Sequence, residues 1–286
     1  MIVILKFSPA VIFYIMLGIG MSTDIKSFID VFKNLKSLLV GLLSQVIVLP
    51  VIGLLFAGFA PIDPVLKSGI VLITCMPSAI SSNYITKLVN GNTPLSVTLT
   101  AISACLSFIT IPFILIVAAP VVTDGVNVFQ NLDFKKTSLS LLLMTTVPVL
   151  IGLFINTKFS IFVKKINKFF SYSSLLLFMG VIAAAWISEW TNVINLYKSI
   201  GFLLVVFITV ILIAVNILVN VFNLNTQNKR TIIIETFIQN GAMAIIVGEL
   251  VLGFGSGYMS VAATYALLQY KLLLVWWATN KFRANI

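Results

Sequence analysis

Apolar residues fill this chain in long runs that are separated by short polar stretches. Nine apolar segments can be delimited, at residues 5–22, 37–60, 65–92, 94–121, 136–156, 170–190, 197–223, 229–253 and 256–281. Most of them approach or exceed the ~20 residues that a helix needs to cross a bilayer. The pattern therefore predicts an all-α integral membrane protein with nine transmembrane helices.

Two of these segments are interrupted by polar residues. The first, residues 65–92, is apolar up to Cys75 and is then interrupted by the proline and polar residues between Pro77 and Asn83. The second, residues 229–253, is interrupted by the stretch ETFIQNG from Glu235 to Gly241. Such residues free backbone groups from the helical ladder, and in lipid those groups need protein, water or ions as partners. We predict breaks between Pro77 and Asn83 and between Glu235 and Gly241, which cross near mid-membrane as in the binding sites of transporters.

The two interrupted segments also resemble each other. Each has an asparagine after its polar turn, Asn83 and Asn240, and each is followed by a Ser-Val-x-x-Thr pattern, SVTLT at 96–100 and SVAAT at 260–264. Nine spans give the two segments opposite directions across the membrane. The sequence therefore predicts an inverted repeat.

Composition and charge agree with a membrane protein. The chain is 60% hydrophobic and 9% charged, and its formal net charge is +10. With residues 23–36 placed inside, the inside connections and tail hold more than twice as many Lys and Arg residues as the outside ones, which predicts an outside N-terminus and an inside C-terminus. The basic residues are spread over short loops, so the lipid bilayer is the expected partner, with no nucleic acid and no obligatory protein partner.

Several chemistries have no support in the sequence. The chain has no histidine, and Cys75 and Cys105 both lie inside apolar runs without a metal-binding or redox spacing. We expect both cysteines to be small core residues. Without a Gly-x-Ser-x-Gly motif, or an aspartate inside any span, an integral-membrane enzyme is not expected.

Glu235 is the central chemical feature of the sequence. A carboxylate inside a span needs a proton, a basic side chain or a metal cation as its partner. Ser82, Asn83 and Gln45 supply neutral oxygens in other spans, and a third set lies on one helical face: Ser96, Thr100, Ser103 and Ser107. One carboxylate with neutral oxygens suits a hard monovalent cation better than a proton relay, so sodium is the favoured ion.

Each of these features has a structural alternative. A stripe of hydroxyls often serves only helix packing, and Gln45 taken alone is more typical of an interhelical hydrogen bond. Lys271, within the last span, is the rival partner for Glu235. We expect Lys271 instead to reach towards the inner face or to face a water-filled cavity.

Two stretches carry a family resemblance. The stretch CMPSAISSNYITKLVNGNTPLSVTLTAISACLSFITIP (75–112) and the stretch ETFIQNGAMA (235–244) resemble the two signature regions of the bile acid:sodium symporter family. The resemblance implies a sodium-coupled symporter of an organic anion, with two discontinuous crossing helices and two sodium sites. It also implies a core domain (37–121 with 197–281) and a panel domain (5–22 with 136–190) in inverted repeats, with the family's first helix absent.

The resemblance also assigns residues to sites. The first sodium site would consist of Ser82, Asn83, Ser96, Thr100 and Glu235. The second would consist of Gln45, Glu235 and Gln239 with the backbone carbonyls of Thr236 and Ile238. The substrate would lie against Asn240, Pro77, Ser78, Ala79 and Gln269.

The substrate and the coupling ion keep alternatives. Many family members have Pro-Gly-Gly where this chain has Pro77-Ser78-Ala79, so a bile acid and a small pantoate-like or keto acid both remain open. The resemblance implies alternating access in a cell membrane, as in the bacterial inner membrane. A sodium-independent or proton-coupled exporter of the same superfamily is the alternative function.

Overall fold

The computed structural model describes residues 8–23, 25–122, 129, 132–252 and 258–284. Within these ranges the regular elements are helices, and no β-strand occurs. Two of the helices contain a π-helical turn, at Ser44–Val48 and at Leu142–Thr146. In chain order the helices are α1 (Ser8–Ser22), α2 (Ile25–Phe32), α3 (Leu35–Phe59), α4 (Pro64–Thr74), α5 (Ile80–Leu88), α6 (Thr93–Val122), α7 (Phe134–Lys158), α8 (Ser160–Ser188), α9 (Trp190–Val221), α10 (Thr226–Phe237), α11 (Gly241–Leu252) and α12 (Tyr258–Ala284).

Among the described residues, six helices are long and apolar enough to cross a bilayer. They are α3, α6, α7, α8, α9 and the Tyr258–Val275 part of α12. Three shorter apolar helices lie at Pro9–Ser22, Pro64–Thr74 and Gly241–Leu250. The prediction of an all-helical, multi-pass membrane protein is therefore confirmed for the described part of the chain.

Helix boundaries differ from the apolar segments in three places. The short helix α2 was not predicted, and α8 and α9 begin at Ser160 and Trp190 instead of 170 and 197. Lysine and asparagine are compatible with a helix in water, so a helix continues beyond the point at which its apolar run stops. Residues 5–7 of the first predicted segment lie outside the described residues.

Helix starts follow the local sequence. The side chains of Asp63, Asp133 and Asn225 accept hydrogen bonds from the backbone N–H groups of Val65 (3.0 Å), Lys136 (3.1 Å) and Asn228 (2.8 Å). These contacts satisfy first-turn donors that have no partner inside the helix. Asp63 is followed by Pro64, whose missing N–H costs nothing at the first helical position.

Helix α1 packs directly against α7 and α8, whereas α12 packs against α4, α9 and α11. Between α1 and α7 the backbones come close at Gly20 and Gly152. A Cβ atom on Gly152 would lie 2.7 Å from the backbone nitrogen of Met21, and one on Gly20 would lie 2.9 Å from that of Leu153. Small residues therefore set this helix–helix distance, as is common in membranes.

Both predicted helix breaks are present, with shifted boundaries. The first runs between the end of α4 at Thr74 and the start of α5 at Ile80, and the second between Phe237 and Gly241. Asn83 is therefore in the first turns of α5, and Glu235 is in the last turn of α10. Pro77 lacks an N–H and disfavours a helical residue before it, which places the first break earlier than Ser81 and Ser82.

The two breaks pair with each other through their backbones. The N–H of Ala79 donates to the carbonyl of Ile238 (3.1 Å), and the N–H of Asn240 donates to the carbonyl of Pro77 (3.0 Å). Together they form an isolated antiparallel bridge between Ser78 and Gln239. This pairing satisfies backbone groups that would otherwise be unpaired inside the protein.

Candidate functional site

The crossing of the two breaks lies near the middle of the interrupted helices. The helices on its two sides contain 9 to 12 residues each, which corresponds to roughly 14 to 18 Å of helix. The N-termini of α5 and α11 and the C-termini of α4 and α10 meet there. Helix N-termini favour negative charge and helix C-termini favour positive charge, so the crossing can bind both an anion and a cation.

Glu235 lies at the crossing and is fully buried. Its Oε1 accepts hydrogen bonds from the hydroxyls of Ser82 (2.6 Å) and Ser96 (2.5 Å). Its Oε2 accepts from those of Ser78 (2.5 Å) and Thr100 (2.8 Å). Helices α5 and α6 and the first break thus direct hydroxyl groups at one carboxylate. We call this group of residues, with Asn83, the first oxygen cluster.

Asn83 completes the first oxygen cluster. Its Oδ1 lies 2.8 Å from Ser96 Oγ, and Thr86 Oγ1 lies 3.3 Å from the same oxygen. The other two hydroxyls of the predicted stripe do not reach Glu235. Ser103 bonds to the carbonyl of Thr100, and Ser107 to that of Ala104. The stripe is therefore divided between the cluster and helix packing.

The chemistry of the first oxygen cluster suits a hard cation. No basic side chain of the described residues lies within 4 Å of Glu235, and no group of three His, Cys, Asp or Glu residues is present among them. The serine and threonine hydroxyls can also turn their lone pairs towards an ion. Neutral oxygens with one carboxylate fit sodium, whereas transition metals prefer nitrogen or sulfur ligands.

A second group of oxygens comes from the end of α10, from the second break and from the π-helical turn of α3, which packs against α10. Both polar atoms of the buried Gln45 side chain and the Oε1 of Gln239 have no hydrogen-bond partner. Ser44, which precedes Gln45 at the π-helical turn, shares a hydrogen bond of 2.7 Å with the hydroxyl of Thr236. Unpaired buried amide groups cost free energy, so an arrangement that leaves them unpaired requires another partner. We call Gln45, Gln239 and Thr236 the second oxygen cluster.

The C-terminus of α10 adds backbone carbonyls to the second oxygen cluster. The N–H groups of Gln239 and Asn240, which would close the helical bonds to Glu235 and Thr236, donate instead to Gln269 Oε1 (3.0 Å) and to Pro77. The carbonyl of Thr236 accepts from the Gln239 side chain at 2.6 Å, and that of Ile238 accepts from Ala79. Each carbonyl oxygen keeps a second lone pair for an ion.

The residues assigned to the substrate mainly hold the crossing together. The Asn240 side chain accepts from the N–H of Met243 at 3.0 Å and so caps α11. Gln269 is fully buried and bonds to both backbone groups of Gln239. Pro77 and Ala79 take part in the backbone bridge, and the Ser78 hydroxyl belongs to the first oxygen cluster.

Lys271 does not pair with Glu235. Its Nζ lies 5.0 Å from the centroid of the Tyr197 ring, on α9. The junction between α8 and α9 lies beside the beginning of α12, where Trp186 donates to the carbonyl of Ala263 and the hydroxyl of Ser260 donates to Glu189. The Lys271 side chain is therefore directed at Tyr197, and the expectation that it reaches towards the inner face or faces a water-filled cavity stays a prediction.

The predicted spans hold carboxylates besides Glu235: Glu189 at the end of segment 170–190, and Glu249. Glu249 lies in α11, within the predicted segment 229–253, and its Oε2 is buried without a hydrogen-bond partner. The count of one carboxylate in the spans is therefore wrong. Glu249 is separated from the crossing by two turns of helix and belongs to neither oxygen cluster. An inspection of the end of the segment as well as its middle would have found it.

A network of asparagines ties together the ends of the helices that carry the clusters. Asn92 Nδ2 donates to Asn228 Oδ1 at 2.9 Å, and Asn228 Nδ2 donates to Ser37 Oγ at 2.7 Å. The Thr231 hydroxyl accepts from the N–H of Asn92 at 2.7 Å. Helices α3, α6 and α10 are thus linked beside a polar cavity of about 240 Å³. No pattern in the sequence predicts this network.

Known proteins are similar to this chain over most of its length. The chain is 26% identical over 267 residues to the human ileal sodium/bile acid cotransporter, which covers 89% of this chain and 71% of that protein. It is 32% identical over 145 residues to the probable chloroplastic sodium/metabolite cotransporter BASS3 of Oryza sativa, covering 50% of this chain and 32% of that protein. It is 26% identical over 189 residues to the uncharacterized sodium-dependent transporter YocS of Bacillus subtilis, covering 65% and 54%.

A family profile supports the same relationship. The profile of the sodium bile acid symporter family matches residues 9–196, which include the first break and α6 but not Glu235. The alignments with the three relatives cover between 32% and 71% of the lengths of those proteins. Since the profile matches more than half of the chain, the chain belongs to the sodium bile acid symporter family.

Proposed function

We propose that this protein is a sodium-coupled symporter of an organic anion. The single observation that carries the proposal is the fully buried Glu235 carboxylate, surrounded by four hydroxyls and by no basic side chain of the described residues. A carboxylate in a membrane protein needs a compensating charge, and the surrounding neutral oxygens suit sodium. Membership of the family, whose named relatives are sodium-dependent cotransporters, supports the same ion.

Two sodium ions are proposed, one for each oxygen cluster. The first ion would be bound by Ser82, Asn83, Ser96, Thr100 and Glu235, with Ser78 added by its contact with the carboxylate. The second ion would be bound by Gln45, Gln239 and the carbonyls of Thr236 and Ile238. Glu235 would serve both ions, because it is the nearest negative charge to each. The unpaired amide oxygens of Gln45 and Gln239 support the second site.

The finer architecture is part of the proposal. Nine passes would arise from the six long helices, from α1, and from the two interrupted pairs α4–α5 and α10–α11. The antiparallel bridge between the breaks supports an inverted repeat. The packing of α1 on α7 and α8 supports a panel domain (5–22 with 136–190) beside a core domain (37–121 with 197–281). An outside N-terminus follows from the distribution of Lys and Arg.

Alternating access would follow from this architecture. The N-termini of α5 and α11 present backbone N–H groups at the crossing, where an organic anion would be favoured. Sodium in the two clusters would compensate Glu235 and fix the carbonyls at the end of α10. The core would then move against the panel, through contacts such as the 3.0 Å hydrogen bond between Ser107 and Thr145, and expose the crossing to either side. The substrate, a bile acid or a small organic acid, and the inner membrane of a bacterium belong to the proposal as well.

A proton-coupled exporter is the second candidate. A proton on Glu235 would also neutralise the carboxylate, and hydroxyl partners suit a carboxylic acid as well as a carboxylate. The second oxygen cluster separates the two candidates, because a proton on Glu235 leaves the oxygens of Gln45 and Gln239 unpaired. Sodium binding, in contrast, would give both oxygen clusters a partner with a single type of ion.

The proposed function can be tested without a known substrate. The purified full chain is heated in sodium, potassium or choline chloride at equal ionic strength, at several pH values. We expect sodium alone to raise the unfolding temperature, with saturation in the millimolar range. Equal unfolding temperatures in the three salts, with stabilisation only on acidification, would instead establish the proton-coupled candidate.

A further inference from the structure

Lys271 is an exposed cation at the depth of the crossing. The two residues before it are both bonded to the interrupted helices. Gln269 bonds to the backbone of Gln239, and the Tyr270 hydroxyl lies 2.7 Å from the hydroxyl of Ser81, in the first turn of α5. The backbone of Lys271 therefore lies at the middle of the membrane-spanning region, and its side chain is exposed there.

This cation has no negative partner among the residues that the structure describes. The one ion pair found in those ranges joins Lys33 to Asp30. Lys271 lies instead over the Tyr197 ring, which is 42% exposed. A cation over an aromatic ring is stabilised only in part, and its remaining faces are open to another ligand.

Lipid is a poor neighbour for this charge. A lysine in the middle of a bilayer costs about 2.5–3.5 kcal/mol or more, and such residues nearly always face a water-filled cavity or a partner. Headgroups lie roughly 15 Å from the bilayer centre, which is farther than a lysine side chain reaches. Helix α8 packs beside both α5 and α12 and so lies next to helices that meet at the crossing.

We propose that Lys271, held by Tyr197, binds a second anionic group of the transported substrate, and that the substrate is a dicarboxylate. One carboxylate would lie at the N-termini of α5 and α11, and the other on the Lys271 ammonium group. The charges support this class. The sum of the charges on Glu235, two sodium ions and Lys271 is +2. A dianion cancels this charge, whereas a monoanion does not. This inference rests on the proposed function and names the substrate class of the same transporter.

Water access to Lys271 is tested first, because it needs no substrate. Lys271→Cys is prepared with Cys75→Ala and Cys105→Ala and is placed in lipid nanodiscs. A charged, membrane-impermeant thiol reagent should label Cys at this position at least tenfold faster than Cys introduced by Ile213→Cys. Ile213 is exposed on the apolar surface of α9 and provides the lipid-facing control. Equal, slow labelling at both positions would overturn the proposal.

The dicarboxylate is tested by binding. Succinate, glutarate and adipate are compared with their monoamides, which have the same shape and one charge fewer, by thermal shift and calorimetry in sodium. We expect one dicarboxylate to bind about tenfold more tightly than its monoamide, and Lys271→Gln to abolish this ratio. Lys198→Gln removes another exposed charge, next to Tyr197, and should preserve the affinity ratio.

The outcomes separate this inference from the function on which it rests. The inference is overturned if the ratio of dicarboxylate to monoamide affinity is the same in the wild type and in Lys271→Gln, or if none of the three dicarboxylates binds. Sodium alone should stabilise Lys271→Gln as much as the wild type, since Lys271 contacts neither oxygen cluster. Absence of sodium stabilisation in the wild type would instead refute the proposed function.

Discussion

Gln269 bonds to both backbone groups of Gln239: its Oε1 accepts from the Gln239 N–H at 3.0 Å, and its Nε2 donates to the Gln239 carbonyl at 3.2 Å. A side-chain amide thereby takes the place of a neighbouring β-strand at the second break. Since the break is buried, no water need approach these groups. The geometry of α10 and of the second oxygen cluster therefore depends on a residue of α12.

Replacement of Gln269 should loosen the crossing. Gln269→Leu preserves volume but leaves two buried backbone groups of Gln239 without partners, at a cost of about 1–3 kcal/mol for each. We expect a clearly lower unfolding temperature and weaker sodium stabilisation. Tyr270→Phe is the matched comparison, because it removes the contacts of the Tyr270 hydroxyl with Ser81 and Gln269 but leaves both backbone groups of Gln239 paired. An unfolding temperature equal to that of the wild type would show that the pair does not support the break.

The two oxygen clusters should respond differently to substitution. Glu235→Gln removes the charge that both ions share, so it should abolish saturable sodium stabilisation. Gln45→Ala should weaken one site and leave the other nearly intact, and Ser96→Ala should do the converse. Sodium titrations that follow the unfolding temperature or tryptophan fluorescence would resolve one or two binding steps.

Glu249→Gln is the control for Glu235→Gln. It removes a carboxylate from the same interrupted helix pair, two turns away from the crossing. We expect Glu249→Gln to retain two sodium-binding steps. If both substitutions changed sodium binding equally, the effect of Glu235 would reflect the general charge of the protein and not coordination.

Patterning along the chain accounts for much of this fold. Runs of apolar residues predicted the long helices, and the polar interruptions predicted both breaks. The residues at which the breaks begin and end were harder to predict, because serines occur both in breaks and in the first turn of a helix. Ser82 and Glu235 thus lie inside helices, next to breaks that were expected to contain them.

Partners across the fold were harder to predict. The hydroxyl of Ser78 and the amide of Gln269 acquire their roles from residues more than 25 positions away, and neither distance nor direction is encoded in local spacing. The link from Asn228 to Asn92 is of the same kind. Polar residues at helix ends have many structural uses, so their presence alone predicts none of these contacts.

Helix packing in α1 and α7 offers a test that is independent of transport. Gly20→Ala and Gly152→Ala would each place a methyl group against the backbone of the other helix, which cannot give way without separating the helices. We expect each to lower the unfolding temperature by several degrees. Gly180→Ala, where a Cβ meets nothing within 4 Å, should not. Equal effects at all three positions would refute this account of the packing.

The orientation in the membrane can be tested by labelling. Lys164 is exposed near the beginning of α8, in a stretch that the distribution of Lys and Arg assigns to the inside. In a background of Cys75→Ala and Cys105→Ala, Lys164→Cys should react with an impermeant thiol reagent only after cells are opened. Labelling in intact cells would reverse the assigned orientation.

The charge moved in each transport cycle tests the stoichiometry and the substrate class together. With two sodium ions per cycle, a monovalent anion carries one net positive charge across the membrane, which about 100 mV drives with roughly 2.3 kcal/mol. A dianion carries none, because the two sodium ions balance it. Proteoliposomes with imposed potassium diffusion potentials would measure the difference, with Lys198→Gln as the variant expected to match the wild type. We expect voltage-independent, sodium-dependent uptake of the dicarboxylate. Uptake driven by an inside-negative potential would point to a monoanion instead, and uptake indifferent to sodium would refute the coupling that Glu235 and its hydroxyl partners support.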